Sequence, residues 1–165
     1  MNISPKELND NIFKLIADDW MLITAGNNDK VNTMTASFGG FGVLFFKNVA
    51  HIYVRPERYT FNFLEQESTF SLSFFNDNFK EKLKYCGRVS GKDEDKIKIS
   101  GLKLLYSEDN TPYFEQAKIT ILCKKIYSQD ISAENFIDKA SYEKTYASGG
   151  LHRMYIGEIT NIIIK

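Results

Sequence analysis

Polar and apolar positions alternate along much of this chain, and the alternation is interrupted by short stretches of helical spacing. Ser4, Pro5 and Glu7 combine an N-cap, a first-turn proline and a third-position acid, and Leu8, Ile12, Leu15 and Ile16 follow at helical spacing. This predicts an amphipathic helix over 5–17. Trp20 to Ala25 is a short apolar, β-branched run closed by the turn residues Gly26-Asn27-Asn28-Asp29. With the Val31 to Phe38 run behind it, the pair predicts a β-hairpin. Gly39-Gly40 breaks the pattern, and Phe41 to Phe46 reads either as another strand or as an irregular apolar segment.

A strand over 49–55 must end before Pro56, which has no amide to give a ladder. Thr60 is placed as the cap of a short helix reaching Glu67, with Phe61 and Leu64 inward. Phe70 to Phe75 predicts a strand, Asp77 to Tyr85 a helix, and Gly87 to Gly91 a loop; Lys92 to Ser100 is charged, with alternating Ile97 and Ile99. The longest alternation runs from Tyr113 to Tyr127; Ala133 to Ala147 has helical content, and Met154 to Ile164 predicts a last strand. Six or seven strands with short helices at the connections predict a mainly β, α+β domain over 1–165. Its expected form is an antiparallel barrel, closed or nearly closed.

Composition changes this picture little. Aromatic residues make up 14% of the chain and hydrophobic ones 43%, which excludes disorder. Lys plus Arg and Asp plus Glu both number 21, so bulk charge predicts no nucleic-acid or anionic-membrane partner. No apolar run is long enough to span a bilayer, and Met1 to Asp10 has no basic start followed by an apolar core. Cys86 and Cys123 form no motif spacing, so the expected setting is reduced and cytoplasmic.

Candidate chemistry gathers in three places. In an extended strand Thr33, Thr35 and Ser37 share one face, opposite Asn32, Met34, Ala36 and Phe38. A hydroxyl row suits an acceptor-rich ligand, and it also occurs on any strand with one wet face. Arg55, Arg58, Tyr59 and Thr60 bring two guanidinium groups to a helix start, where free amides and the dipole favour an anion. A solvated turn with Arg58 paired to Glu57 or Glu65 is the plainer alternative. The third place is Gly87 to Lys96, a charge-rich glycine loop from which Arg88 or Lys92 can reach an anion; it also reads as a mobile surface loop. Two histidines a hundred residues apart give no metal-site spacing, and no nucleophile elbow, Walker loop or dinucleotide fingerprint is present.

Four of these stretches, in order, resemble the flavin reductase-like family. They are Asn32 to Phe38, then Tyr53-Val54-Arg55-Pro56-x-Arg58-Tyr59-Thr60, then Cys86-Gly87-x-x-Ser90-Gly91-x-Asp93-x-Asp95-Lys96, and Gly157-Glu158. The resemblance runs from about Trp20 to Ile163. It implies an FMN-binding split β-barrel that forms homodimers, with FMN near the subunit interface. The strand matching Asn32 to Ser37 would line the isoalloxazine and ribityl chain, the segment matching Arg55 to Thr60 would lie near the phosphate, and the Ser90-Gly91 loop would add a wall. The candidate FMN-binding residues are therefore Asn32, Thr33, Met34, Thr35, Ala36, Ser37, Phe38, Arg55, Arg58, Tyr59, Thr60, Ser90, Gly91 and Lys92. No metal is expected, and no catalytic residue is singled out. The implied activity passes electrons from NAD(P)H, or from a redox protein as donor, through FMN to a flavin or another acceptor. The alternative is an FMN-binding electron carrier without NAD(P)H chemistry of its own. Two positions depart from the family pattern: Leu151 stands where an acid often precedes the histidine matching His152, and Lys47-Asn48 where prolines are common.

Overall fold

The alternating stretches assemble into one curled antiparallel sheet, seen in a computed structural model that describes residues 1–165. In chain order the first elements are β1 (Asn2–Ile3), α1 (Ile12–Lys14), β2 (Met21–Gly26), β3 (Val31–Ala36), β4 (Gly39–Leu44) and β5 (Lys47–Val54). Then come α2 (Tyr59–Gln66), β6 (Thr69–Phe74), α3 (Lys80–Arg88) and α4 (Lys96–Ser100). The chain closes with β7 (Leu104–Tyr106), β8 (Pro112–Phe114), β9 (Ile119–Asp130), α5 (Lys139–Tyr146) and β10 (Arg153–Ile164). The main sheet runs β3-β2-β6-β9-β10-β5-β4, with β1 on β10, while β7 and β8 pair apart. Its two edges, β3 and β4, are not hydrogen-bonded to each other; the chain crosses between them through Ser37 and Phe38. The expected barrel is thus split at the point where its two edge strands are joined in sequence. No helix is long and apolar enough to cross a membrane.

Two cores fix the walls. The larger fills the curled sheet with Met21, Ile23, Ala25, Met34, Ile52, Leu64, Phe70, Leu72, Ile121 and Tyr155 among others. The smaller lies outside the sheet, where Leu22 packs with Phe75, Leu83, Cys86, Leu102 and Phe114 beneath α3 and the β7–β8 pair. Every residue of β2 is therefore buried, its alternate side chains entering different cores.

Several predicted elements take other forms. No continuous helix spans 5–17: a 3₁₀ turn over Pro5–Glu7 ends at Leu8, and α1 starts anew after Asn11, whose side chain accepts the Lys14 amide. The polar Asn9-Asp10-Asn11 run competes for backbone hydrogen bonds and breaks the helix. Phe41 to Phe46 resolves as strand β4 with a tip at Phe45 and Phe46, and β4 starts at Gly39, so the glycine pair belongs to the strand. The cap of α2 is Arg58, not Thr60, and its buried apolar residues are Phe63 and Leu64, with Phe61 only half-buried. Gly87 lies within α3, and Lys96–Ser100 is a helical turn. The Tyr113 to Tyr127 alternation divides at a turn where the Ala117 amide donates to the Phe114 carbonyl, because β8 pairs with β7 while β9 pairs with β6 and β10.

Candidate functional site

The split of the barrel carries two adjoining cavities, and Arg58 lines both. The first, about 200 Å³, lies between the start of α2 and the end of α3, with Arg58, Thr60, Ser90 and Lys96 on its wall. Arg58 caps α2 through its backbone and gives the helix no side-chain hydrogen bond; the Phe61 amide donates to the Arg58 carbonyl at 2.9 Å, and the Tyr59 and Thr60 amides have no partner within the helix. Thr60 is fully buried and its hydroxyl accepts from Asn32 Nδ2 at 2.7 Å.

Lys96 is only 2% exposed. Its Nζ donates to the carbonyls of Cys86 and Val89, both at 2.9 Å, and Arg58 Nη2 donates to the Gly87 carbonyl at 2.9 Å. The two cations thus cap the C-terminal carbonyls of α3, where positive charge is favoured. Neither forms an ion pair with a carboxylate. Glu57 shares the cavity wall, but its carboxylate lies against Gly150. Burial, and then the neighbouring Arg58, pushes the Lys96 ammonium down to about 8. Burial, and then Arg55, lowers the Arg58 guanidinium as well. An ammonium has three donors and a guanidinium five, so after these bonds each cation keeps spare N–H groups. Two crowded cations with unused donors, beside free helix amides, make a site that an anion would relieve.

The second cavity, about 160 Å³, lies under the Ser37–Phe38 crossing and is walled by Met34 to Phe38, Tyr53, Arg55 and His152. Arg55 does not reach the first cavity's lining; its Nη2 donates to the Thr145 carbonyl at 3.0 Å and its guanidinium lies 5.6 Å from the Tyr146 ring centre. Arg55 thereby ties α5 to the barrel.

The hydroxyl row is not presented as a row. Thr33 is fully buried, bonded to Thr24 Oγ1 at 2.8 Å and donating to the Ile23 carbonyl at 3.0 Å. Thr35 donates to the Leu83 carbonyl at 2.5 Å. Helix α3 covers that face of β3, which the two-period pattern could not reveal; Thr35 and Ser37 both line the second cavity, and of the two only Ser37, past the end of the strand, has a hydroxyl with no protein partner. Ala36 and Phe38 line the second cavity, while Met34 also packs into the core. The Tyr59 ring packs on Phe63 at 5.2 Å, with Lys30 above it.

The glycine loop divides. Ser90 lines the first cavity, whereas Gly91 and Lys92 line a neighbouring open groove of about 690 Å³ between the β2–β3 turn and α4, which shares Lys96 with the first cavity. A Cβ on Gly91 would stand 1.9 Å from Asn32 Oδ1, so glycine is what lets the loop close on β3. The lysine in the first cavity is therefore Lys96, not Lys92. Both belong to one charged stretch of sequence; Asp95, the residue before Lys96, caps α4, and a cap does not reveal burial.

The sequence matches the profile of the flavin reductase like domain over residues 13–165. Among solved structures, flavoredoxin from Methanosarcina acetivorans is similar at a TM-score of 0.72 and 19% identity, over 99% of this chain and 76% of that one. A protein from Shewanella frigidimarina described as having a split barrel domain gives 0.71 and 16%, over 100% and 80%. An NADH:FAD oxidoreductase of Streptomyces globisporus gives 0.65 and 15%, over 89% and 75%. No curated protein matches the sequence. With the profile matched over nearly its whole length, the chain belongs to the flavin reductase-like domain family.

Proposed function

We propose that this protein binds FMN with the phosphate in the Arg58–Lys96 cavity and the isoalloxazine in the adjoining cavity at the barrel split. It would act as a flavin reductase-like oxidoreductase, taking electrons from NAD(P)H and passing them to a flavin or another acceptor. The observation that carries this is a buried lysine beside a half-buried arginine, each with spare donors and no carboxylate partner. Size is consistent with it: at about 200 and 160 Å³ each cavity falls below the roughly 300 Å³ at which ligand pockets usually begin, so a ligand as large as FMN would span both. FMN has a dianionic end and a planar body, which suits one charged and one aromatic-walled compartment.

The bound flavin would supply the two-electron chemistry. Arg58, Lys96 and the first amides of α2 hold the phosphate, with Ser90 as a further donor. Ser37, Phe38 and His152 would line the compartment that takes the ring. The same proposal includes a homodimer with FMN near the subunit interface. It is supported by the β4–β5 tip, where Val43, Phe45 and Phe46 are exposed and both phenylalanines hold positive φ, +53° and +58°. Left-handed backbone at such residues costs roughly 1–2 kcal/mol each, and a partner covering the rings offsets that cost.

A flavin carrier without NAD(P)H chemistry is the second candidate, since proteins of this fold carry both kinds of description. Anaerobic titration of the flavin-loaded protein separates them. Bleaching of the flavin bands by NADH or NADPH is expected; bands that persist with both nucleotides but fade with a chemical reductant leave the carrier. Protein that takes up no flavin refutes both.

A further inference from the structure

At the second cavity, the His152 imidazole makes one hydrogen bond, Nδ1 to the Tyr146 hydroxyl at 2.7 Å. Both residues are nearly enclosed, at 9% and 6% exposure. The Tyr146 hydroxyl has no other side-chain partner, and no acceptor but Nδ1; its one further neighbour is a donor, the His152 backbone amide. If it accepted a proton from Nδ1, its own proton would be stranded in a buried place, which is costly. A tyrosine hydroxyl in this setting donates. Burial raises Tyr146, so it keeps its proton, and burial together with Arg55 lowers His152, so the imidazole is neutral at pH 7.

A neutral imidazole that accepts at Nδ1 carries its proton at Nε2. Nε2 makes no hydrogen bond within the protein, yet it is not enclosed; the one enclosed side-chain polar atom without a partner is Ser73 Oγ. His152 lines the second cavity, facing Phe38 at 5.7 Å between ring centres.

We propose that Tyr146 is a positioning residue: it locks His152 in the Nε2–H form, so that the barrel split holds a fixed N–H donor for a carbonyl or ring nitrogen of a planar ligand. Helix α5 is held in place for this by Arg55, through the Thr145 carbonyl and the face of the Tyr146 ring. Leu151, directly before His152, has no carboxylate to orient the imidazole, which leaves that to the tyrosine six residues earlier. The ligand half of the proposal rests on the flavin assignment above; the tautomer half does not.

The test is long-range ¹H–¹⁵N correlation NMR on ligand-free protein. The chain has two histidines, so His152→Gln assigns the signals. His152 is expected in the Nε2–H form in the wild type, with increased Nδ1–H content in Tyr146→Phe, which keeps the aromatic packing with Phe136 and Tyr142. An Nδ1–H wild type, or a tautomer that Tyr146→Phe leaves unchanged, overturns the lock. Riboflavin, which has the ring and no phosphate, then probes the donor. Tyr146→Phe should weaken riboflavin about three- to tenfold, the range of one ordinary hydrogen bond. Glutamine at 152 carries its own N–H, so Tyr146→Phe should add nothing in the His152→Gln background. Equal losses in both backgrounds would make Tyr146 merely structural and refute the positioning role. A wild type that binds neither riboflavin nor FMN would refute the flavin assignment and the donor role together, while the NMR result would still decide the lock.

Discussion

If FMN sits as proposed, Lys96 ties flavin binding to pH. In the ligand-free protein its ammonium lies at about 8, against about 10.4 for an unperturbed lysine. At 1.36 kcal/mol per unit, that difference costs the fold about 3 kcal/mol. The folded value is below the unfolded one, so the cost is fully present below pH 8 and fades as pH rises toward about 10. A phosphate in the cavity supplies the missing counter-charge and returns the ammonium toward its ordinary value, so binding takes up a proton above pH 8. FMN affinity should then fall about twentyfold between pH 7.5 and 9.5. Riboflavin shares the ring's own ionisation but lacks the phosphate, and should not show this loss. Lys96→Met removes the charge and leaves the Cys86 and Val89 carbonyls without their donor; the two effects oppose, so stability should change little. FMN binding at pH 7 should weaken about ten- to hundredfold, as for loss of a charged hydrogen bond of about 1.5–3 kcal/mol. Fluorescence titration of both flavins against both proteins across this range provides the measurement. An equal pH slope in Lys96→Met and wild type, or an equal slope for riboflavin, would refute the reasoning.

Other expected outcomes test the frame around the site. Asp19 is pushed up by burial, but its bonds to Lys14 and Lys118 outweigh that and hold its carboxyl below the usual range. Asp19→Asn should therefore destabilise by about 2–3 kcal/mol at pH 7, less than a fully buried pair because Lys14 is exposed. In thermal melts that gap should shrink as pH falls below about 4, where the native carboxylate takes up its proton. Thr33→Val strands the buried Thr24 hydroxyl and should cost about 1–3 kcal/mol in urea unfolding. Gly91→Ala drives a methyl into Asn32, which holds Thr60 at the anion cavity, and should weaken FMN binding; Lys92→Ala, in the neighbouring groove, should leave it unchanged.

Much of the sheet could be read from the chain because β-branched and apolar residues alternate where only one face is buried, as in β5. The β2–β3 hairpin was legible from its turn, whose residues include Gly26 at φ +143°. What the chain concealed was the second layer. Thr33 and Thr35 have the alternation of a wet face, yet α3 covers them, and no local signal records a helix that arrives 45 residues later. Lys92, Lys96 and Lys98 are alike in sequence, and only tertiary closure of the loop buries one of them. Likewise Arg55 and Arg58 look like a pair, but the chain turns at Pro56 and sends one to α5 and the other to α3. At the N-terminus the helical spacing was real, but a polar tripeptide outweighed it.

The most direct test of the central claim is the affinity ratio of FMN to riboflavin at pH 7, measured by calorimetry on wild-type protein and on Arg58→Gln. Two cations and a helix start aimed at one phosphate predict FMN at least about a hundredfold tighter in the wild type, two charged hydrogen bonds of about 1.5 kcal/mol each. In Arg58→Gln the ratio should drop about tenfold or more while riboflavin affinity changes little. Equal affinity for the two flavins in the wild type would contradict the assignment of the Arg58–Lys96 cavity to phosphate.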